Sequence, residues 1–216
     1  MTHIFKRHFY RVLERNISLL IFNFVYVFLW SATTGKVEKI GYGIIFSLIF
    51  VFAIRAIKEH FSRLFYLSAG AVVIFWISFF FDLKAIMLFS HIFSVLFFIL
   101  VVVLSVIKLA RAKIITPVEF IEAVNIYFFL GIIGSILLSV VYEIDPNAFS
   151  ASAALTVPSD LIYFSFVTLT SLGYGDISPV SPVARSIAIF LSFSGQIYIA
   201  MIISMLVGKY LNAKEN

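Results

Sequence analysis

Apolar residues along this chain gather into runs long enough, or nearly so, to cross a bilayer, and short polar clusters separate them. The runs cover residues 16–32, 40–57, 64–81, 85–107, 118–142 and 183–207, with polar connections at 33–39, 58–63, 82–84 and 108–117. A hydrocarbon core of roughly 30 Å takes about 20 helical residues, so the pattern predicts six transmembrane helices. A further apolar stretch at 161–170 differs in kind. A helix of roughly 11 residues there rises only about 16 Å. It is too short to span, and must enter the membrane and turn back. Non-helical backbone at that depth is tolerated only where protein or a water-filled cavity surrounds it. Pro158-Ser159-Asp160 marks the start of this helix, with Ser159 the expected N-cap and an acid in the first turn.

The re-entrant stretch leads into Thr168-Leu169-Thr170-Ser171-Leu172-Gly173-Tyr174-Gly175-Asp176. Glycines on either side of Tyr174 allow backbone angles that a Cβ forbids, so consecutive carbonyls can turn towards one axis. Rings of such carbonyls replace the water shell of a cation. The negative end of the preceding helix dipole points the same way. This stretch therefore reads as an ion filter.

The run from Tyr163 to Pro179 resembles the pore loop of tetrameric potassium channels. The usual filter of that family is T-V-G-Y-G; here Ser171 stands for the threonine and Leu172 for the valine. A hydroxyl and a carbonyl are retained, while the packing behind the filter changes. The resemblance implies K+ coordination by the carbonyls of Ser171, Leu172, Gly173, Tyr174 and Gly175, with Ser171 adding its hydroxyl. Thr170 then borders the cavity and Asp176 braces the outer mouth. It implies a homotetramer, because one loop supplies a quarter of each ring. Gly195, twenty positions after Gly175, falls where the family has a flexible inner-helix glycine. Its expected role is a gating hinge, the alternative being small-residue packing against the fifth helix.

A second Gly-Tyr-Gly serves as a control. Gly41-Tyr42-Gly43 has no short helix before it and a full-length apolar run after it. It reads as a helix entry.

Composition narrows the class. With 62% hydrophobic and 12% charged residues, the chain is an integral membrane protein. Its 26 phenylalanines suit a lipid-facing surface, and the absence of cysteine removes disulfides and thiolate metal sites. The net charge of +5 follows membrane topology and gives no sign of nucleic acid. With the N-terminus inside, twelve of the sixteen Lys and Arg residues fall on the cytoplasmic side and four (Lys36, Lys39, Lys84 and Arg185) outside. Both termini are then cytoplasmic, the filter opens outwards, and the expected location is the plasma (cell inner) membrane. Trp30 and Trp76 fall near outer helix ends. A signal peptide competes for the first run, but no small-x-small cleavage site follows it.

The expected fold is an all-α membrane protein. Its parts are a basic segment at 1–15, a four-helix sensor-like domain at 16–107, a linker at 108–117, a pore domain at 118–208 and a short tail at 209–216. A voltage sensor needs several Arg or Lys within a crossing. Between residues 85 and 107 the only titratable candidate is His91, so voltage sensing is not expected. His91 reads as a packing residue or a pH sensor. Asn23 and Asn125 are expected to bond across helices, and Arg55 to reach the headgroups. Glu119 and Glu122 can pair with the bases of the linker, while Glu143, Asp145, Asp160 and Asp176 make the outer approach acidic.

The functional expectation is a potassium-selective channel subunit that conducts K+ passively, with membrane lipids as its surroundings and no cofactor beyond the permeating ion. A nonselective cation channel of the same architecture is the alternative, and a nonconducting subunit a third reading. The chain does not read as an enzyme: His3, His8, His60 and His91 are scattered, and no catalytic motif is present.

Overall fold

The computed structural model describes residues 3–29, 36–57, 62–81, 84–112, 116–151, 154–155 and 158–215. Among these described residues seven helices follow one another: α1 (His3–Phe24), α2 (Lys36–Ile57), α3 (Ser62–Phe81), α4 (Lys84–Arg111), α5 (Pro117–Ile144), α6 (Ser159–Leu169) and α7 (Pro182–Glu215). A π-helical turn, Val25–Leu29, continues α1, and a 3-10 turn, Pro146–Ala148, follows α5. Among the described residues, three helical stretches are long and apolar enough to cross a membrane: Ala85–Arg111, Pro117–Ile144 and Pro182–Met205. Shorter apolar stretches occupy Ile40–Arg55, Ser68–Phe81 and Ser159–Leu169.

Several boundaries differ from the sequence expectation, each for a local reason. The basic lead-in is no separate segment, because α1 begins at His3 and nothing before Asn16 breaks a helix. Lys108 and Arg111 belong to α4, where cations suit the carbonyl end of the helix. The linker shrinks accordingly. Likewise α7 runs to Glu215, through residues assigned to a tail that contain no glycine or proline after Gly208. The fold is not purely helical either. Strands β1 (Phe149–Ala151) and β2 (Ile177–Pro179) pair antiparallel, Phe149 opposite Pro179 and Ala151 opposite Ile177. This ribbon occupies part of what reads in the sequence as two loops.

Pro117 opens α5 behind a capping box, with Thr116 accepting from the Val118 amide at 3.2 Å and Glu119 accepting from the Thr116 amide at 2.9 Å. Glu119 is thus engaged in the cap. Buried Glu122 instead meets Lys108 Nζ at 2.7 Å and ties α5 to α4.

The main core joins α1 to α6 through interlocked aromatic rings. Phe46 packs on Phe50 (5.1 Å between centroids), Phe50 on Phe98 (4.7 Å) and Phe98 on Phe129 of α5 (5.4 Å). In lipid there is little hydrophobic drive between helices, so such close packing and interhelical hydrogen bonds carry the association. Asn23 donates to Asn125 Oδ1 at 3.1 Å, and Asn125 donates to the Asn16 carbonyl at 3.1 Å, all three residues being buried. His91 Nδ1 lies 3.2 Å from Glu143 Oε1, which brings α4 and α5 together outside hydrogen-bond alignment. Gly41-Tyr42-Gly43 lies inside α2, as expected. Trp76 donates from its indole to Ser47 Oγ at 3.0 Å. Arg55 is exposed in the last turn of α2, its guanidinium 5.5 Å from the Phe52 ring centre. Trp30 and His60, and the side chains of Lys36, Lys39 and Lys84, lie outside the described residues.

Candidate ion pathway

Helix α6 has the expected 11 residues, but Ser159 is its first residue rather than its cap. Pro158 holds the N-cap position with no side-chain hydrogen bond, and Ser159 is buried. Two glycines of α5 make the seat for this helix. A Cβ on Gly131 would fall inside the Phe166 ring, and one on Gly134 would meet Ser165 Oγ and Leu191. Ser165 Oγ donates to the Gly131 carbonyl at 2.7 Å across the contact. In the sequence the signal for this seat is a small-residue pair in an apolar helix.

At its carboxyl end α6 turns sharply. The Thr170 amide bonds to the Phe166 carbonyl at 3.0 Å, and the Ser171 amide to that of Thr168 at 3.0 Å. The amides of Leu172 and Gly173 then both point at the Val167 carbonyl, at 2.9 and 3.3 Å. In a trans peptide the carbonyl points opposite to the amide it is bonded to. The carbonyls of Ser171 and Leu172 are therefore turned away from α6. Positive φ recurs at every second residue: Ser171 (58°), Gly173 (56°) and Gly175 (80°). Alternation of left- and right-handed angles gathers successive amides on one side, which leaves the carbonyls on the other. The glycines adopt this without steric cost; Ser171 does not. Among the described residues no hydrogen bond falls on the carbonyl of Gly173 or Tyr174, while that of Gly175 accepts from Ser178 Oγ at 3.4 Å. Open space surrounds both glycines, and the side chains of Leu172 (55%) and Tyr174 (68%) are exposed in the single chain.

The loop is anchored at both ends. Asp176 accepts from the Tyr163 hydroxyl at 2.8 Å, which fixes the outer end to α6. Beyond it the ribbon continues the anchor, with the amides of Val180 and Ser181 bonding to the Ala148 carbonyl at 2.8 and 3.2 Å. At the inner end, the Thr170 hydroxyl turns back onto the Phe166 carbonyl at 2.7 Å, and Thr170 is exposed. Ser171 Oγ faces α7, 3.1 Å from Ser192 Oγ, and accepts from Gln196 Nε2 at 3.0 Å. Neither α7 residue stood out in the sequence.

Helix α7 passes unbroken through Gly195. A Cβ there would fall on the Leu169 carbonyl oxygen, so the glycine is required for close approach, and the element it approaches is α6 rather than α5. Tyr198 donates to the Ala123 carbonyl at 2.7 Å and links α7 to α5. Exposed Glu143 and Asp145 lie at the end of α5 that leads to the ribbon.

The family described as ion channel matches residues 123–211. A curated relative, two pore potassium channel c of Oryza sativa subsp. japonica, is 32% identical over 96 residues, which cover 44% of this chain and 21% of the relative. The chain thus aligns with about a fifth of the length of that protein. No solved structure matches the chain. The region matched by the ion-channel family holds most of α5, all of α6, the loop from Ser171 to Asp176 and nearly all of α7, so the likeness to ion channels lies in this part of the chain.

Proposed function

We propose that this chain is a subunit of a potassium-selective channel that conducts K+ passively, assembled as four identical copies around an axis. The observation that carries the reading is the direction of the peptide groups after α6. The amides of Leu172 and Gly173 are taken up by the Val167 carbonyl, and the alternating φ signs from Ser171 to Gly175 leave a row of carbonyls for a cation. One such row is a quarter of a coordination cage. The exposed faces of Leu172 and Tyr174 and the exposed apolar residues of α7 (Ile189, Phe190, Phe193 and Ile197) fit burial against neighbouring copies and lipid. Thr170 borders the inner cavity in this arrangement, and Asp176 holds the mouth.

The peripheral helices have no voltage-sensing role in this reading. The basic residues of α4 lie at its ends, with Lys108 and Arg111 in the last turn and none between Ala85 and Ile107. Multi-pass insertion with six crossings and both termini in the cytoplasm suits the placement of the basic residues, and a plasma membrane location goes with it. Cation flux from purified protein in liposomes tests the pore: Gly173→Asp abolishes the flux if the loop conducts, and unchanged flux removes the assignment. The nonselective alternative draws on Ser171 and Leu172, the two positions that depart from the family filter. Reversal potentials in mixed K+ and Na+ separate it from a selective pore.

A further inference from the structure

Ser171 carries the hydroxyl nearest the inner end of the filter, and two groups of the inner helix hold it. Ser192 and Gln196 stand four residues apart on one face of α7. Their Oγ and Nε2 atoms lie 3.1 and 3.0 Å from Ser171 Oγ. A serine hydroxyl has one hydrogen and two lone pairs. Gln196 occupies one lone pair. When Ser171 gives its hydrogen to Ser192, the second lone pair is left for a cation. Without these partners the hydroxyl turns freely and can present its hydrogen, which repels the ion. Gly195, next to Gln196, sets the distance, because only a residue without Cβ lets α7 lie against the Leu169 carbonyl. That carbonyl is one peptide from Thr170 and two from Ser171, and it accepts from the Tyr127 hydroxyl at 3.4 Å. The inner helix, the end of α6 and the first filter residue therefore form one packed unit.

We propose that Ser192 and Gln196 are specificity-determining positioning residues, which hold the Ser171 hydroxyl towards the innermost cation site and make occupancy of that site depend on the position of α7. The inference rests on the pore reading above. Hydrogen bonds at these distances are lost once donor and acceptor separate beyond about 3.5 Å. A shift of α7 by well under 1 Å is thus felt in the filter itself. Gly195 then serves close packing, and its link to conduction runs through its neighbour Gln196.

The test uses the full chain reconstituted in liposomes, with two readouts: the K+ over Na+ permeability ratio, and block by Ba2+. Ba2+ is close to K+ in radius with twice the charge, so its affinity reports the number and direction of oxygens at one site. Gln196→Leu keeps most of the volume and removes the donor. It lowers Ba2+ affinity and the permeability ratio by about tenfold each, the scale of one hydrogen bond. Ser192→Ala acts in the same direction, less strongly. Ser171→Ala removes the hydroxyl, and adding Gln196→Leu to it produces no further change, because residues that act through one group are not additive. Each variant is compared with the parent by its elution as an oligomer. If Gln196→Leu fails to assemble, Ser192→Ala, which deletes a single oxygen, decides the matter. The proposal is overturned if the single variants conduct with unaltered ratio and Ba2+ block. It is equally overturned if the double variant loses the product of the two single effects, since Gln196 then acts on the ion without Ser171. Absence of flux from the parent protein instead removes the pore reading, and this inference with it.

Discussion

Gly-Tyr-Gly occurs twice in this molecule and takes two conformations. Gly41-Tyr42-Gly43 lies within α2, where Tyr42 stacks on Phe46 (5.7 Å between centroids) and donor and acceptor hydroxyls of Tyr26 and Tyr42 meet at 3.0 Å. Gly173-Tyr174-Gly175 has positive φ at both glycines, an exposed tyrosine and carbonyls left free at its first two residues. The difference comes from what precedes each triplet. Before Gly41 nothing interrupts the helix, so its backbone groups bond within α2. Before Gly173 a buried helix has just ended, and its terminal carbonyls capture the next amides and force the turn. The triplet permits a turn with exposed carbonyls; the short helix ahead of it makes one.

The strongest way to break this contrast is to place the same substitution at both sites. Gly173→Ala puts a Cβ into open space within the single chain, yet it costs about 1–2 kcal/mol for the left-handed backbone alone. Because each copy in a ring carries the change, K+ flux in liposomes should fall by more than about a hundredfold, as four such costs add. Gly43→Ala, facing Phe75 at 3.0 Å and Trp76 at 3.1 Å, should leave flux within about twofold and lower thermal stability by about 1 kcal/mol or more through overpacking. Equal flux losses at the two sites would erase the distinction.

The next effect concerns the seat of the pore helix. Gly131→Val drives two methyl groups into Phe166, and overpacking of this kind costs about 1–3 kcal/mol. The expected outcome is a lower melting temperature of the assembled protein, with lost flux following from a displaced α6. Retained stability and flux would show that α5 and α6 can part without harm to the loop.

How far these contrasts could be read without coordinates depends on the kind of signal. The length of α6, the glycine-bearing turn after it, the helical fate of Gly41-Tyr42-Gly43 and the Asn23 to Asn125 bond were legible, because each rests on spacing within a segment or on a polar atom in an apolar run. The ribbon was not. Strands of three residues show no alternation that distinguishes them from loop, and the pairing of Phe149 with Pro179 depends on where α5 and α6 end. Ser159 looked like a cap because serine usually caps; here it is buried in the first turn and Pro158 takes the position. Ser192 and Gln196 were invisible for another reason: their importance comes from Ser171, 21 and 25 residues away, and from the close approach that Gly195 allows.

A smaller effect sharpens the account of how the outer end is held. Tyr163→Phe removes the donor to Asp176, a net loss of about 1 kcal/mol, the usual scale of one hydrogen bond. Flux should persist, but the loop loses its tie to α6, so conduction should decline faster under sustained activity and K+ should protect against heat less well. Asp176→Asn keeps an acceptor for the same hydroxyl and should show the milder version. If Tyr163→Phe matches the parent in both respects, the ribbon alone holds the mouth.

The smallest effect belongs to the peripheral triplet. Tyr42→Phe removes one hydroxyl from the pair with Tyr26 and leaves its ring stacked on Phe46. Tyr26 is fully buried, so its own hydroxyl then stands with one partner fewer, and the expected loss is about 0.6 kcal/mol, the usual scale of interhelical hydrogen bonds in membranes. Flux and selectivity should be unchanged. A measurable shift in the K+ over Na+ ratio would show that the peripheral core reaches the loop, and one path for it runs from Tyr42 through the packed rings Phe46, Phe98 and Phe129 and on into α6. Such a path exists physically in the continuous core. The test therefore asks whether the aromatic half of the molecule merely supports α5, or also sets how tightly α5 grips α6 and the turn that follows it.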